Sequence, residues 1–275
     1  MQRIVVAANG ISGSPHALDF ACYLGRLTNS KISGFLWQDP DADSSPNFYG
    51  SAEMAQGNQR NSATSNNSQP DVATIDHSSV LFKNACEKRG VRYSIRRIKN
   101  DQVNEIIRES RYADIVIAEV EGSIHSKAQH VIKELLENAE CPVVIAPESF
   151  EGIDEVVFTY NGTRSSMYAI KQFCYLFPQL DDKKVTVIEV DEEGVSSQEE
   201  IDKFREWISG HYSSIGYTVL KGDTETELFA ALLRKKNAFI VMGAYGRGRL
   251  SRFFKHSRAD LLVKTLTQAI LITHT

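Results

Sequence analysis

Gly243 and Gly246, separated by two residues, follow the apolar run Ala238–Met242 and precede a serine at Ser257 and an amphipathic segment. Glycine allows a tight turn and a close approach of backbone to an anion. The first N–H groups of a helix are unpaired and lie at the positive end of its dipole. Strand, glycine loop and helix in that order make a phosphate cradle, with the Ser257 hydroxyl as a further donor. The glycines alone would fit a plain turn, and the strand and helix on either side favour the cradle. Residues 247–258 carry Arg247, Arg249, Arg252, Lys255 and Arg258, and no acid. That balance suits a polyanion. Most of these side chains read as a solvated basic loop, with Arg247 and Arg258 as the phosphate contacts.

A second candidate is Asn161, which follows the apolar run Val156–Tyr160 and precedes Gly162. In an open α/β sheet a ligand lies outside the carboxyl ends of the strands, and Asn161 stands there. Two readings are open. Asn161 contacts a ligand with an amide that both donates and accepts. Alternatively, Asn-Gly forms a turn, with Asn161 left-handed or capping the next helix. No nucleophile elbow, zinc spacing or Walker lysine motif occurs. His125 and His130, near Glu134, read as surface residues.

These residues need a frame, and the pattern predicts one. Strands are expected at 4–8, 32–37, 91–98, 114–118 and 142–146, and helices at 15–28, 77–89, 102–111 and 126–139. The second half repeats this order. Its strands are expected at 155–160, 184–190, 216–221, 238–242 and 269–273, and its helices at 164–177, 197–212, 225–236 and 257–267. Such alternation implies parallel sheets with right-handed crossovers. Asn9-Gly10 and Asn161-Gly162 each follow a first strand, and the run Ala113–Ala118 answers Ala238–Met242. Internal duplication is the plain reading. The expected domains are 1–147 and 154–275. Residues 39–76 are rich in Ser, Asn, Gln, Asp and Gly, and offer too little apolar surface to offset ordering; they are expected as a disordered insertion.

A chain of 275 residues suits two domains of ordinary size. The net charge of −4 gives no basic field for nucleic acid. Four cysteines without metal spacing imply reduced, half-buried thiols and a cytoplasmic location. The sequence starts directly in a strand and no apolar run reaches membrane length, so neither a leader nor a membrane partner is expected.

The spacing Gly243-x2-Gly246-x9-His256-Ser257 resembles the signature of the universal stress protein family, in which the residue before the serine is glycine. Its occurrence beside a duplicated pattern is similar to the tandem members. The resemblance implies two open-sheet, mostly parallel, doubly wound α/β domains (Rossmann-like, of the adenine-nucleotide alpha-hydrolase-like kind) related by a pseudo-two-fold axis. It implies pairing of the halves through 143–146 and 270–273, and allows a homodimer. It implies ATP or AMP as ligand and leaves magnesium open, since family members usually carry Asp where Asn161 stands. By resemblance, the nucleotide touches Thr159, Tyr160, Asn161, Val190, Met242, Gly243, Gly246 and Ser257, with Val190 and Met242 beside adenine or simply core. His256 either obstructs the phosphate or, protonated, donates to it.

The first half has Glu119 at the first glycine's place, with Glu121 close by. Carboxylates repel phosphate, so only the second half is expected to bind. The leading function is a nucleotide-responsive regulatory module and not an enzyme. A slow ATP hydrolase and a stress module without nucleotide are the alternatives. Deleting residues 52–70 should leave the melting temperature nearly unchanged in thermal unfolding; a large drop would show that the segment packs.

Overall fold

Long runs of Val, Ile, Ala and Phe, buried on both sides, build the centre of the fold, as parallel sheets covered on both faces require. The structure is a computed structural model and describes residues 1–9, 15–37, 72–98, 102–119, 127–190, 197–220, 224–243 and 268–273. The first half contains β1 (Arg3–Asn9), α1 (Pro15–Leu27), β2 (Lys31–Trp37), α2 (Val72–Lys88), β3 (Tyr93–Arg97), α3 (Gln102–Ser110), β4 (Ile115–Ala118), α4 (Lys127–Asn138) and β5 (Val143–Ile145). The second contains β6 (Glu155–Tyr160), α5 (Arg164–Leu176), β7 (Lys184–Val190), α6 (Gln198–Ser209), β8 (Ile215–Leu220), α7 (Thr224–Leu233), β9 (Ala238–Gly243) and β10 (Ala269–Thr273). Ser197 caps α6 through a reciprocal capping box with Glu200, as the Ser-Gln-Glu-Glu run predicts.

One sheet of ten strands runs through the molecule in the order β3-β2-β1-β4-β5-β10-β9-β6-β7-β8. Read inward from either edge, each half has the same order: third, second, first, fourth, fifth. All neighbours are parallel except the middle pair. There β5 meets β10 antiparallel, with Ile145 opposite Ile270, Val144 opposite Leu271 and Val143 opposite Ile272. This arrangement is an α/β fold with an approximate two-fold axis between β5 and β10, and the pairing expected of 143–146 with 270–273 is present over 143–145 and 270–272. One face carries α1, α2, α5 and α6; the other carries α3, α4 and α7.

Both cores continue across the central pair. Phe20 of α1 makes edge contacts with Phe150, at 5.2 Å, and with Phe239 of β9, at 5.7 Å. Phe150 lies in the connection between β5 and β6, which is also anchored by the buried Ile153. A backbone bond from Asp154 to Asn237 fixes its far end.

The halves differ at the first residue of their first strand. Arg3 and Glu155 occupy equivalent first positions, opposite Lys31 and Lys184 respectively. Arg3 donates to Glu109 at 2.6 Å and to Ser33. Glu155 accepts from Thr186 and from Lys235. The same place holds opposite charge in the two halves. Burial opposes ionisation of Glu155, but the bonds from Thr186 and Lys235 prevail and hold its carboxyl below the usual range.

Two expectations need correction. The helix expected from residue 77 begins at Val72, so residues 72–76 belong to α2; Val72, Ala73 and Ile75 are apolar and set this segment apart from the polar stretch before it, in a helix that continues into Phe82 and Cys86. The remainder of 39–76 lies outside the described residues, as does the helix expected at 257–267. The cysteines are more deeply placed than half-buried. Cys22, Cys86 and Cys174 are buried, only Cys141 is intermediate, and none forms a disulfide. Burial pushes Cys174 up to about 11 and Cys141 up to about 12, far from a reactive thiolate.

Among the described residues no helix is long and apolar enough to cross a membrane. The central strand pair yields a direct test. Val144 is 0% exposed, and Val144→Asp places an unpaired charge in it. The variant should lose about 3–5 kcal/mol of unfolding free energy in urea titration, with aggregation at the freed edges. An unchanged midpoint would contradict this account of the pairing.

Candidate functional site

The strand order reverses between β6 and β9. From β6 the chain goes outward through β7 to β8, then returns to the other side of β6. A crevice opens at the carboxyl end of such a switch point. Asn161 and Gly243 stand at the carboxyl ends of β6 and β9, on either side of that point.

Asn161 begins a tight, fully assigned turn. Its Oδ1 accepts from the Thr163 hydroxyl at 2.8 Å and from the Thr163 backbone N–H at 3.3 Å. Both partners donate, which fixes the amide's orientation. Gly162 takes the left-handed conformation, φ 72°. Thr163 is the helix cap and accepts from the Ser166 N–H. Asn161 is therefore neither left-handed nor the cap, as its sequence had suggested. Its neighbours take those roles, and its own acceptor is spent on the turn. The other end of the amide is left over. Asn161 is 1% exposed, and its Nδ2 has no hydrogen-bond partner. A buried donor left unpaired costs roughly 1–3 kcal/mol.

Gly243 serves a contact that its motif did not reveal. A side-chain carbon built there would stand 2.5 Å from the Ser165 carbonyl carbon and 2.5 Å from the Ser166 nitrogen. Bare backbone at Gly243 lets the first turn of α5 descend onto the end of β9. Ser165 and Ser166 are buried in that contact. The equivalent position in the first half is Glu119, and α1 there packs chiefly on β1, β2 and α2. The helix start thus stands over the crevice in the second half.

Thr273, opposite Gly243 at the end of β10, adds a second buried polar atom without a partner, its Oγ1. Its only sequence signal is one hydroxyl ending the apolar run Ala269–Ile272.

The other expected contacts divide. Thr159 is buried in the sheet and donates to the Val241 carbonyl at 3.1 Å. Tyr160 is stacked on Phe204 of α6, with centroids 3.9 Å apart, on the opposite face from Met242. Met242 is 7% exposed and sits in the core with Ile240 and Ile272. Val190 ends β7, in register with Leu220. Gly246, Arg247, His256, Ser257 and Arg258 lie outside the described residues. Near His130, whose Nδ1 lies 4.0 Å from Glu134, no metal-binding group of three or more His, Cys, Asp or Glu exists among the described residues.

This geometry can be set beside known proteins. No family model matches the sequence, and no curated protein does. Among solved structures, a universal stress protein from Archaeoglobus fulgidus DSM 4304 superposes with a TM-score of 0.65. The match covers 99% of this chain and 96% of that one, at 14% identity. The chain has the universal stress protein fold. Two shorter structures of that fold align with about half of it. A universal stress protein in complex with cAMP covers 53% of this chain and 95% of its own, at 16% identity and TM-score 0.34. A universal stress protein family protein from Arabidopsis thaliana with AMP bound covers 53% of this chain and 91% of its own, at 18% identity and TM-score 0.33.

Within this universal stress protein fold, the helix approach at Gly243 is open to a minimal test. Gly243→Ala must push α5 away from β9. It should cost about 1–3 kcal/mol, the scale of overpacking, read from urea unfolding. A neutral effect would show that the α5 contact is loose.

Proposed function

We propose that the chain is a nucleotide-binding regulatory module of the universal stress protein type, with its adenine-nucleotide site in the second half alone. One observation carries the reading: the buried, unpartnered Nδ2 of Asn161 at the switch-point crevice. Its acceptor is satisfied by Thr163, so Asn161 offers the crevice a donor. A donor suits an acceptor atom of the ligand, such as a phosphate, ribose or ring nitrogen lone pair. Aspartate at this position would instead offer negative charge to a metal. The residues therefore fit a nucleotide held without magnesium. ATP and AMP both present suitable acceptors.

The fit extends along the chain. The start of α5 brings the positive end of its dipole to the crevice. Gly246, Ser257 and the basic segment 247–258 continue from Gly243 in the order that a phosphate cradle uses. Glu119 replaces Gly243 in the first half, and its charge opposes phosphate there. The role we assign is regulatory, because the chemistry given to these residues is binding. Because β5 and β10 cover each other, a second copy is not needed to protect those edges.

Calorimetric titration of ATP and AMP tests this reading. Replacing Gly246 with Trp should abolish binding. Ser257→Ala should weaken it by about 1–2 kcal/mol, the scale of a hydrogen bond to a charged group. His256→Gly should tighten binding if the imidazole obstructs. It should weaken binding if the imidazolium donates, and binding by the unsubstituted protein should then improve below about pH 6.5. No product is expected over hours with or without magnesium. Absence of saturable binding in both the unsubstituted chain and His256→Gly would overturn the proposal.

A further inference from the structure

At the amino ends of β1, β2 and β3, opposite to the crevice, lies a cavity of about 640 Å³. Arg3, Lys31, Arg92 and Arg96 line it together with the hydroxyls of Ser33 and Ser94, and among the described residues no acid lines it, although Asp114 accepts from the Gln2 and Arg3 backbone at its edge. The two hydroxyls lie 3.2 Å apart on its floor. Four cations and two hydroxyls around one space need a physical account.

The cavity exists because the halves cover this face differently. In the second half α7 lies on β7 and β8. In the first half α3 leans on β1 and α4 instead, and leaves the equivalent strands β2 and β3 open at their amino ends. Support of α3 accounts for only part of the charge. Glu109 takes Arg3 at 2.6 Å and Arg96 at 2.6 Å, and Arg96 also reaches Glu105 at 3.6 Å. Lys31 and Arg92 are exposed and have no carboxylate partner among the described residues. Arg92 donates to the Asn29 carbonyl at 2.9 Å, which holds it over the cavity at low cost in side-chain freedom.

Glu109 indicates the ligand. Arg3 and Arg96 both converge on its carboxylate, so the site already holds one anion from within the chain. Guanidinium groups match phosphate oxygens in the same forked geometry. We propose that this cavity binds a compact polyanion bearing at least two phosphate groups, held by Lys31 and Arg92, the two cations that Glu105 and Glu109 leave free. The volume exceeds what a single phosphate fills. The enclosed Phe35 ring is covered by Arg96, at 5.4 Å, so the cavity presents charge and hydroxyls and no stacking surface. This ligand differs from the adenine nucleotide proposed above, and the inference does not rest on that reading.

The test uses the full chain and inorganic pyrophosphate, by calorimetry and by ¹⁵N NMR at fixed ionic strength. Saturable binding is expected, with shifts at the Ser33 and Ser94 amides and the Arg92 guanidinium. Inorganic phosphate should bind at least ten-fold more weakly. Lys31→Ala combined with Arg92→Ala removes two exposed side chains, should leave the unfolding midpoint unchanged, and should weaken pyrophosphate at least ten-fold. Gly246→Trp should leave pyrophosphate binding intact. Absence of saturable binding, undiminished binding by the double variant, or loss in Gly246→Trp would each overturn the proposal.

Discussion

The molecule depends on three residue pairs at its centre. Val143, Val144 and Ile145 face Ile272, Leu271 and Ile270 in the single antiparallel contact of the sheet. Each strand is too short and apolar to stand as an edge in water. Their pairing turns two five-stranded sheets into one of ten, and lets both cores run across the middle of the fold. The edge contacts of Phe20 with Phe150 and Phe239 extend that join into the helix layer. Everything farther out, including the crevice beside β6 and the cavity beside β2, is positioned on this platform.

The two halves show how one plan yields different surfaces. Residue 243 and residue 119 hold the same place. Glycine brings a helix start to the strand end; glutamate stands where that approach would be. Arg3 and Glu155 likewise share a place and carry opposite charges. The buried Glu155 remains charged favourably only with its own partners, Lys235 and Thr186, while the half-buried Arg3 has a different set, Glu109 and Ser33. The divergence is local, and the strand order survives it.

Much of this was legible in the sequence. Alternating apolar runs gave the described strands within a few residues, because buried parallel strands write a dense Val/Ile signal. The duplicated Asn-Gly turns gave the two halves, and the family resemblance gave their pairing through the short final strands. The start of α2 escaped because Val72, Ala73 and Ile75 directly follow a long polar stretch and were grouped with it. At the site, Gly243 was singled out for closeness to phosphate, whereas its described contact is with the backbone of Ser165 and Ser166. That contact joins residues some eighty positions apart, and no local spacing encodes it. Asn161 was correctly placed at a turn, but the division of labour among Asn161, Gly162 and Thr163 depends on dihedral angles. The cavity of the first half was invisible because it results from the lean of α3.

The connection between β5 and β6 has a consequence of its own. Two separate chains meeting through one edge strand must use a self-complementary surface, in which each contact appears twice about the axis. A covalent tether removes that demand. It also replaces dependence on protein concentration with a fixed, high effective concentration of one half near the other. Side chains on the two sides of the axis are then free to change independently. Val144 can face Leu271 without any requirement that Val face Val, and one half can keep a site that the other gives up.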